Sequence, residues 1–84
     1  MPKQRLCDLS GVRQAVRAVG AGTAARVYIA ADAEEKVTLP LRRLCGEKGV
    51  PVTEVGTMAE LGEACGLKVG ASAACATNGH TGGR

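Results

Sequence analysis

Three short apolar runs alternate with three stretches of helical periodicity along this chain. The runs are R-V-Y-I-A-A at Arg26–Ala31, V-P-V-T-E-V at Val50–Val55 and V-G-A-S-A-A-C-A at Val69–Ala76. Runs of this length, bounded by Gly, Pro and capping residues, suit short buried strands. Strands that alternate with helices lead to layered α/β packing. The final run is almost wholly small side chains, which on both faces of a strand let helices approach a sheet closely. Alanine propensity alone would also allow a helix there. Gly66 and Gly70 interrupt that pattern, and a strand completes the order.

The helical stretches carry their own punctuation. Ser10 precedes Val12, Ala15, Val16 and Val19, and Gly20-Ala21-Gly22 stops the pattern. Asp32 and Glu35 have capping-box spacing, followed by Val37, Leu41, Leu44 and Cys45 as an inner face. Pro40 falls inside this second helix and should bend or loosen it, with Gly46 or Gly49 as its end. Thr57 and Glu60 repeat the box spacing ahead of Met58, Leu61, Ala64 and Cys65, and Gly66 is the natural stop. A short additional strand fits near Leu6–Leu9. The expected architecture is a three-layer α/β/α sandwich with a small mixed sheet of about four strands. One domain spans residues 1–76, and 77–84 form a flexible Gly-rich tail containing His80.

Tyr28 is the sole aromatic residue, so Val, Leu, Ile, Met and Ala must build the core. Eleven basic and eight acidic side chains leave a net charge of only +3, which by itself implies no polyanionic partner. Their distribution says more. No Asp or Glu occurs from Leu9 to Ala31, a window holding Arg13, Arg17 and Arg26. Such a segment focuses a local positive field. Cys7, Cys45, Cys65 and Cys75 are widely spaced, without a C-x-x-C pair, and read as free structural thiols of a reducing cytosol. No apolar run approaches a membrane span, and the N-terminus lacks a signal core, so a soluble cytoplasmic protein is expected.

The stretch S-G-V-R-Q-A-V-R at Ser10–Arg17 breaks a local preference. A helix start exposes unpaired N–H groups and favours acids. Here it carries Arg13 and Arg17 one turn apart, with Gln14 beside them. A bound phosphate or an electronegative base edge would offset that cost. Catalysis finds no support. No Ser/His/acid set is present, no metal-ligand spacing appears, and the Gly20-Ala21-Gly22 fragment follows a helix where a dinucleotide loop would follow a strand. No cofactor is expected. A protein-interaction module with a merely solvated arginine face is the alternative class.

Together, S-G-V-R-Q-A-V-R-A-V, V-Y-I-A-A-D-A and V-P-V-T-E-V-G-T-M-A-E-L-G-E-A-C-G-L-K-V-G-A-S-A-A resemble the ribosomal protein L7Ae/L30e family. The likeness is to its short bacterial members in particular, the L7Ae-like proteins that bind kink-turn RNA. It covers residues 4 to 76, with L-G-x-A-C-G-x-x-V-G-A its most specific part. The resemblance implies an L30e-like sandwich without catalysis, and the agreement of capped helices, apolar stripes and strand pattern predicts a monomer. The resemblance also implies binding to a bulged duplex with tandem sheared G·A pairs, and makes ribosomal RNA a candidate partner; no DNA or membrane partner is expected.

By match of motif, Gly11 stands where backbone passes close to RNA, with Val12 beside it. Arg13 and Gln14 stand at the two base-reading positions, and Arg17 at the basic position one turn on. Archaeal and eukaryotic members carry Asn-Glu at the reading positions, so Arg13-Gln14 replaces an acceptor by a donor. The family's second contact region corresponds to Gly66–Gly70. There Leu67 and Val69 either pack on an extruded nucleotide or belong to the core, and Lys68 either meets the backbone or is a solvated turn residue.

Overall fold

Alternation along the central strand decides how the layers assemble. The structure, a computed structural model, describes residues 9–77. In chain order the elements are β1 (Leu9–Ser10), α1 (Val12–Ala21), β2 (Ala24–Ala30), α2 (Glu35–Lys48), β3 (Val52–Val55), α3 (Met58–Ala64) and β4 (Ala73–Thr77). They form one four-stranded mixed sheet in the order β1-β4-β2-β3. β2 runs parallel to β3 and antiparallel to β4, and β1 is antiparallel to β4.

Successive side chains of β2 point to opposite faces of the sheet. Val27 and Ile29 pack with Ala15, Ala18 and Val19 of α1, Leu41 and Cys45 of α2, and Ala73 and Cys75 of β4. Tyr28 and Ala30 pack on the other face with Leu61, Cys65, Ala71 and Ala74. Helices α1 and α2 therefore cover one face and α3 the other, as an α/β/α sandwich requires. Ile29, Leu41 and Leu61 are fully buried, each worth about 1.5–3 kcal/mol of transfer free energy. The register Val27↔Cys75, Tyr28↔Ala74, Ile29↔Ala73 sets small β4 side chains opposite the large ones of β2.

Several local expectations are corrected. Ser10 does not cap α1; its backbone pairs with Ala74 in β1, and Gly11 takes the cap position. Asp32 does not cap α2 either. That helix starts after Glu34 without a side-chain cap, and the Asp32 carboxylate accepts from the Met58 N–H at the start of α3, at 2.8 Å. The inner face of α2 is Thr38, Leu41 and Cys45, whereas Val37 is 40% exposed. Thr38 tolerates burial because its hydroxyl donates to the Glu35 carbonyl at 3.4 Å, one turn back.

Helix α2 runs through Pro40 and ends at Gly49, in the left-handed region at φ 71°. Thr57 caps α3 as its spacing predicts, its hydroxyl accepting from the Glu60 N–H at 3.0 Å. The last strand starts at Ala73, so Val69–Ser72 is loop where a strand was expected, and the strand reaches Thr77. The strand expected at Leu6–Leu9 is represented by Leu9–Ser10, and residues 1–8 and 78–84, including His80, lie outside the described residues.

One of the cysteines differs from expectation. Cys45 is a buried free thiol whose pKa burial pushes up, which keeps it protonated and unreactive near neutral pH. Cys65 is disulfide-bonded rather than free. Spacing along a chain does not reveal which cysteines the fold brings together.

Candidate nucleic-acid interface

The first turn of α1 is shaped by one glycine. Gly11 adopts φ 97° and ψ 148°, a region that is essentially glycine-only. Its N–H donates to the Ala73 carbonyl at 2.7 Å, and its own carbonyl accepts from the Ala15 N–H at 3.1 Å. The chain thus turns from an edge strand into a helix within a single residue. A methyl group on Gly11 would meet no atom within 4 Å, so the demand for glycine is conformational. Gly11→Ala should therefore cost about 1–3 kcal/mol of stability, read from denaturant midpoints. An unchanged midpoint would show that the turn tolerates a side chain.

Beyond Gly11 the helix presents two faces. Ala15, Ala18 and Val19 are buried, and Val12 and Val16 are half-buried against the same core. Arg13, Gln14 and Arg17 are exposed. The first turn holds no acid, and no side chain caps it. Helix dipole, uncapped N–H groups and the Arg13 guanidinium therefore add in sign at this end, and Arg17 extends the positive face one turn on. Among the described residues the ion pair that forms is Arg42–Glu54, at 2.9 Å, and neither Arg13 nor Arg17 enters one.

The loop between α3 and β4 meets the same end of the sheet. β4 starts at Ala73, the residue bonded to Gly11, and the Ser72 carbonyl just before it accepts from the Ala30 N–H at 3.0 Å. The loop leaves α3 at Gly66, φ 80°, with the Leu67 N–H bonded to the Gly62 carbonyl at 2.8 Å. Val69 is 70% exposed and Leu67 37% exposed, so neither is a core residue. Lys68 between them is exposed. Of the eight residues singled out, Gly11, Arg13 and Gln14 sit at the helix start and Arg17 one turn on. Leu67, Lys68 and Val69 sit on the adjoining loop, and Val12 lies between helix and core.

Three residues that hold this loop escaped the sequence reading. Gly62 lies under it. A methyl group there would overlap the Val69 carbonyl oxygen and come within 2.9 Å of its carbon. A glycine inside a helical pattern usually has such a packing reason, and that was the available signal. Asp32 and Met58 fix the start of α3, through a contact that no local spacing announces. A groove of about 520 Å³ runs between α3 and the loop, lined on the helix side by Ala59, Glu60 and Glu63. Among the described residues no group of three or more His, Cys, Asp or Glu side chains is placed to hold a metal ion. No helix of the described residues is long and apolar enough to cross a membrane.

The chain and its fold have counterparts among known proteins. The model of the ribosomal protein L7Ae/L30e/S12e/Gadd45 family matches residues 8–81. The chain belongs to this family. It is 45% identical over 64 residues to the RNA-binding protein TTE2299 of Caldanaerobacter subterraneus subsp. tengcongensis, covering 76% of this chain and 78% of that one. It is 40% identical over 63 residues to the RNA-binding protein YbxF of Geobacillus stearothermophilus, covering 75% and 77%. Among solved structures, a 15.5kD RNA binding protein of Giardia lamblia superposes with a TM-score of 0.77 at 36% identity. It covers 82% of this chain, which spans 58% of the Giardia chain. A Bacillus halodurans protein of unknown function superposes with a TM-score of 0.76 at 29% identity, covering 84% and 72%.

Proposed function

We propose that this chain is a non-catalytic RNA-binding protein that recognises kink-turn RNA. The observation that carries the reading is the Gly11–Ala73 hydrogen bond. It ties an acid-free helix start to the strand that follows an exposed apolar–basic–apolar loop. In the widened groove at tandem G·A pairs, Arg13 can donate two bonds to guanine O6 and N7, and Gln14 can bond a base edge. Arg17, one turn on, meets phosphate and sets register. Leu67 and Val69 offer apolar surface to an extruded bulge nucleotide while Lys68 meets its backbone.

The names of the relatives and the family match support RNA as the partner class. Within this reading, the domain, which extends through Thr77 at the end of β4, acts as a cytoplasmic monomer with ribosomal RNA among its candidate partners. It works without a cofactor.

Titration at fixed salt against a labelled kink-turn RNA and against a duplex lacking the bulge tests the proposal. Tighter binding to the kink-turn is expected, and equal weak binding to both would sink it. Repeating the titration across a salt series with Arg17→Ala separates positioning from reading. Affinity should fall for both RNAs alike, and the slope of log K against log salt should shrink by roughly one phosphate contact. A slope identical to that of the unmodified protein would remove Arg17 from the interface.

A further inference from the structure

We propose that Asp32 is a positioning residue for RNA recognition, holding the loop at residues 66–72 in place through Met58; this rests on the kink-turn reading above. The argument starts from α3, which is only seven residues long. Helices this short do not persist on propensity, so the first turn depends on its caps. Thr57 supplies one, to the Glu60 N–H. Asp32 supplies the other from 26 residues away, its Oδ1 accepting from the Met58 N–H at 2.8 Å. A carboxylate on a backbone N–H at a helix start is a charge-assisted bond, favoured further by the helix dipole.

Met58 is also the residue on which the loop rests. Its carbonyl accepts from the Ala71 N–H at 3.0 Å. Its sulfur accepts from the Ser72 hydroxyl at 3.6 Å. Gly70 lies so near that a methyl group there would stand 3.2 Å from Met58 Cβ and 3.3 Å from its carbonyl oxygen. Three consecutive loop residues are therefore seated on one helical residue. The Asp32 bond fixes that residue relative to the end of β2. The Ala30–Ser72 bond joins the same strand end to the loop, so β2, Asp32, Met58 and the loop close a ring of contacts. Leu67, Lys68 and Val69 project from this ring. Asp32 touches none of them, and its effect on RNA is exerted through Met58.

The full chain is titrated, at one salt concentration, against a kink-turn RNA and the same RNA without its bulge nucleotides. Asp32→Ala is expected to lose about fivefold to tenfold in affinity for the bulged RNA, the usual worth of a helix cap, and nothing on the unbulged duplex. Asp32→Asn keeps a carbonyl acceptor and should recover most of the loss. Amide exchange at Met58 and Ala71 should quicken in Asp32→Ala and return towards normal in Asp32→Asn.

A selective unmodified protein whose Asp32→Ala variant is equally selective overturns the role of Asp32 alone. So does an equal loss on both RNAs, or an Asn variant as weak as the Ala variant. An unmodified protein that fails to distinguish the two RNAs overturns the kink-turn reading and this inference with it. Should Asp32→Ala fail to fold, Asp32→Glu replaces it: the charge stays, the acceptor shifts by a methylene, and the same bulge-confined loss is expected.

Discussion

Gly62→Ala is expected to lower stability by about 3 kcal/mol or more, the upper part of the overpacking range, which in a domain of this size is a fall in Tm of about 12–24 °C. The added methyl cannot turn away, since Cβ has no rotamer freedom. What it meets is backbone: the Val69 carbonyl group, with Gly70 Cα at 3.0 Å. Either the loop lifts from α3 or the helix moves off the sheet, and Leu61 beside it is fully buried there. Native stability of a chain this short is on the order of 4–13 kcal/mol, so one substitution removes a large share. Gly46→Ala is the matched control. Gly46 lies within α2, and a methyl group on it meets nothing within 4 Å. Replacing glycine by alanine inside a helix should raise stability by roughly 0.5–1 kcal/mol. Thermal or denaturant unfolding of the two variants checks both signs. A Gly62→Ala protein as stable as its parent would mean that the loop does not lie against α3.

The contrast between these glycines shows what the sequence made legible. Features whose partners are close in sequence could be read directly. Thr57 bonds the residue three positions on, and its role was evident from spacing. The apolar run at β2 is long and undiluted enough to mark the central strand, and the helix–strand alternation then dictated three layers. Features whose partners lie far along the chain could not be read that way. Asp32 has capping-box spacing to Glu35, yet its carboxylate is taken by Met58 across 26 residues. Ser10 has the composition of a cap, yet sheet pairing claims its backbone and leaves the turn to Gly11. Val69–Ser72 are as small and apolar as the strand they precede. They are loop because Met58 and Gly62 hold them on α3, a tertiary contact without local signature. On the candidate site, the cluster around Arg13 was visible as a broken helix-start preference. The loop residues came from family resemblance, and the structure supplies their exposure.

Arg13→Ala is expected to weaken binding to a kink-turn RNA by about 1–3 kcal/mol, roughly fivefold to 150-fold, the worth of a bidentate contact to guanine. Folding should be untouched or slightly improved. Arg13 is exposed and enters no ion pair among the described residues, and a positive charge in a first helical turn opposes the dipole by a few tenths of a kcal/mol, roughly. Loss of affinity without loss of stability separates a reading residue from a structural one. Arg13→Lys sharpens the test, since it keeps the charge and discards the planar fork. If Arg13 reads a base, the lysine variant should retain the salt dependence of the parent while losing most of its preference for an intact G·A step. If Arg13 only contacts phosphate, lysine should substitute for it fully, and alanine should weaken all RNAs alike. Titrating the parent and both variants against RNAs with and without an altered G·A pair decides between these outcomes. The second pattern would move base reading away from this position and leave Gln14 as the remaining polar side chain of the first turn able to do it.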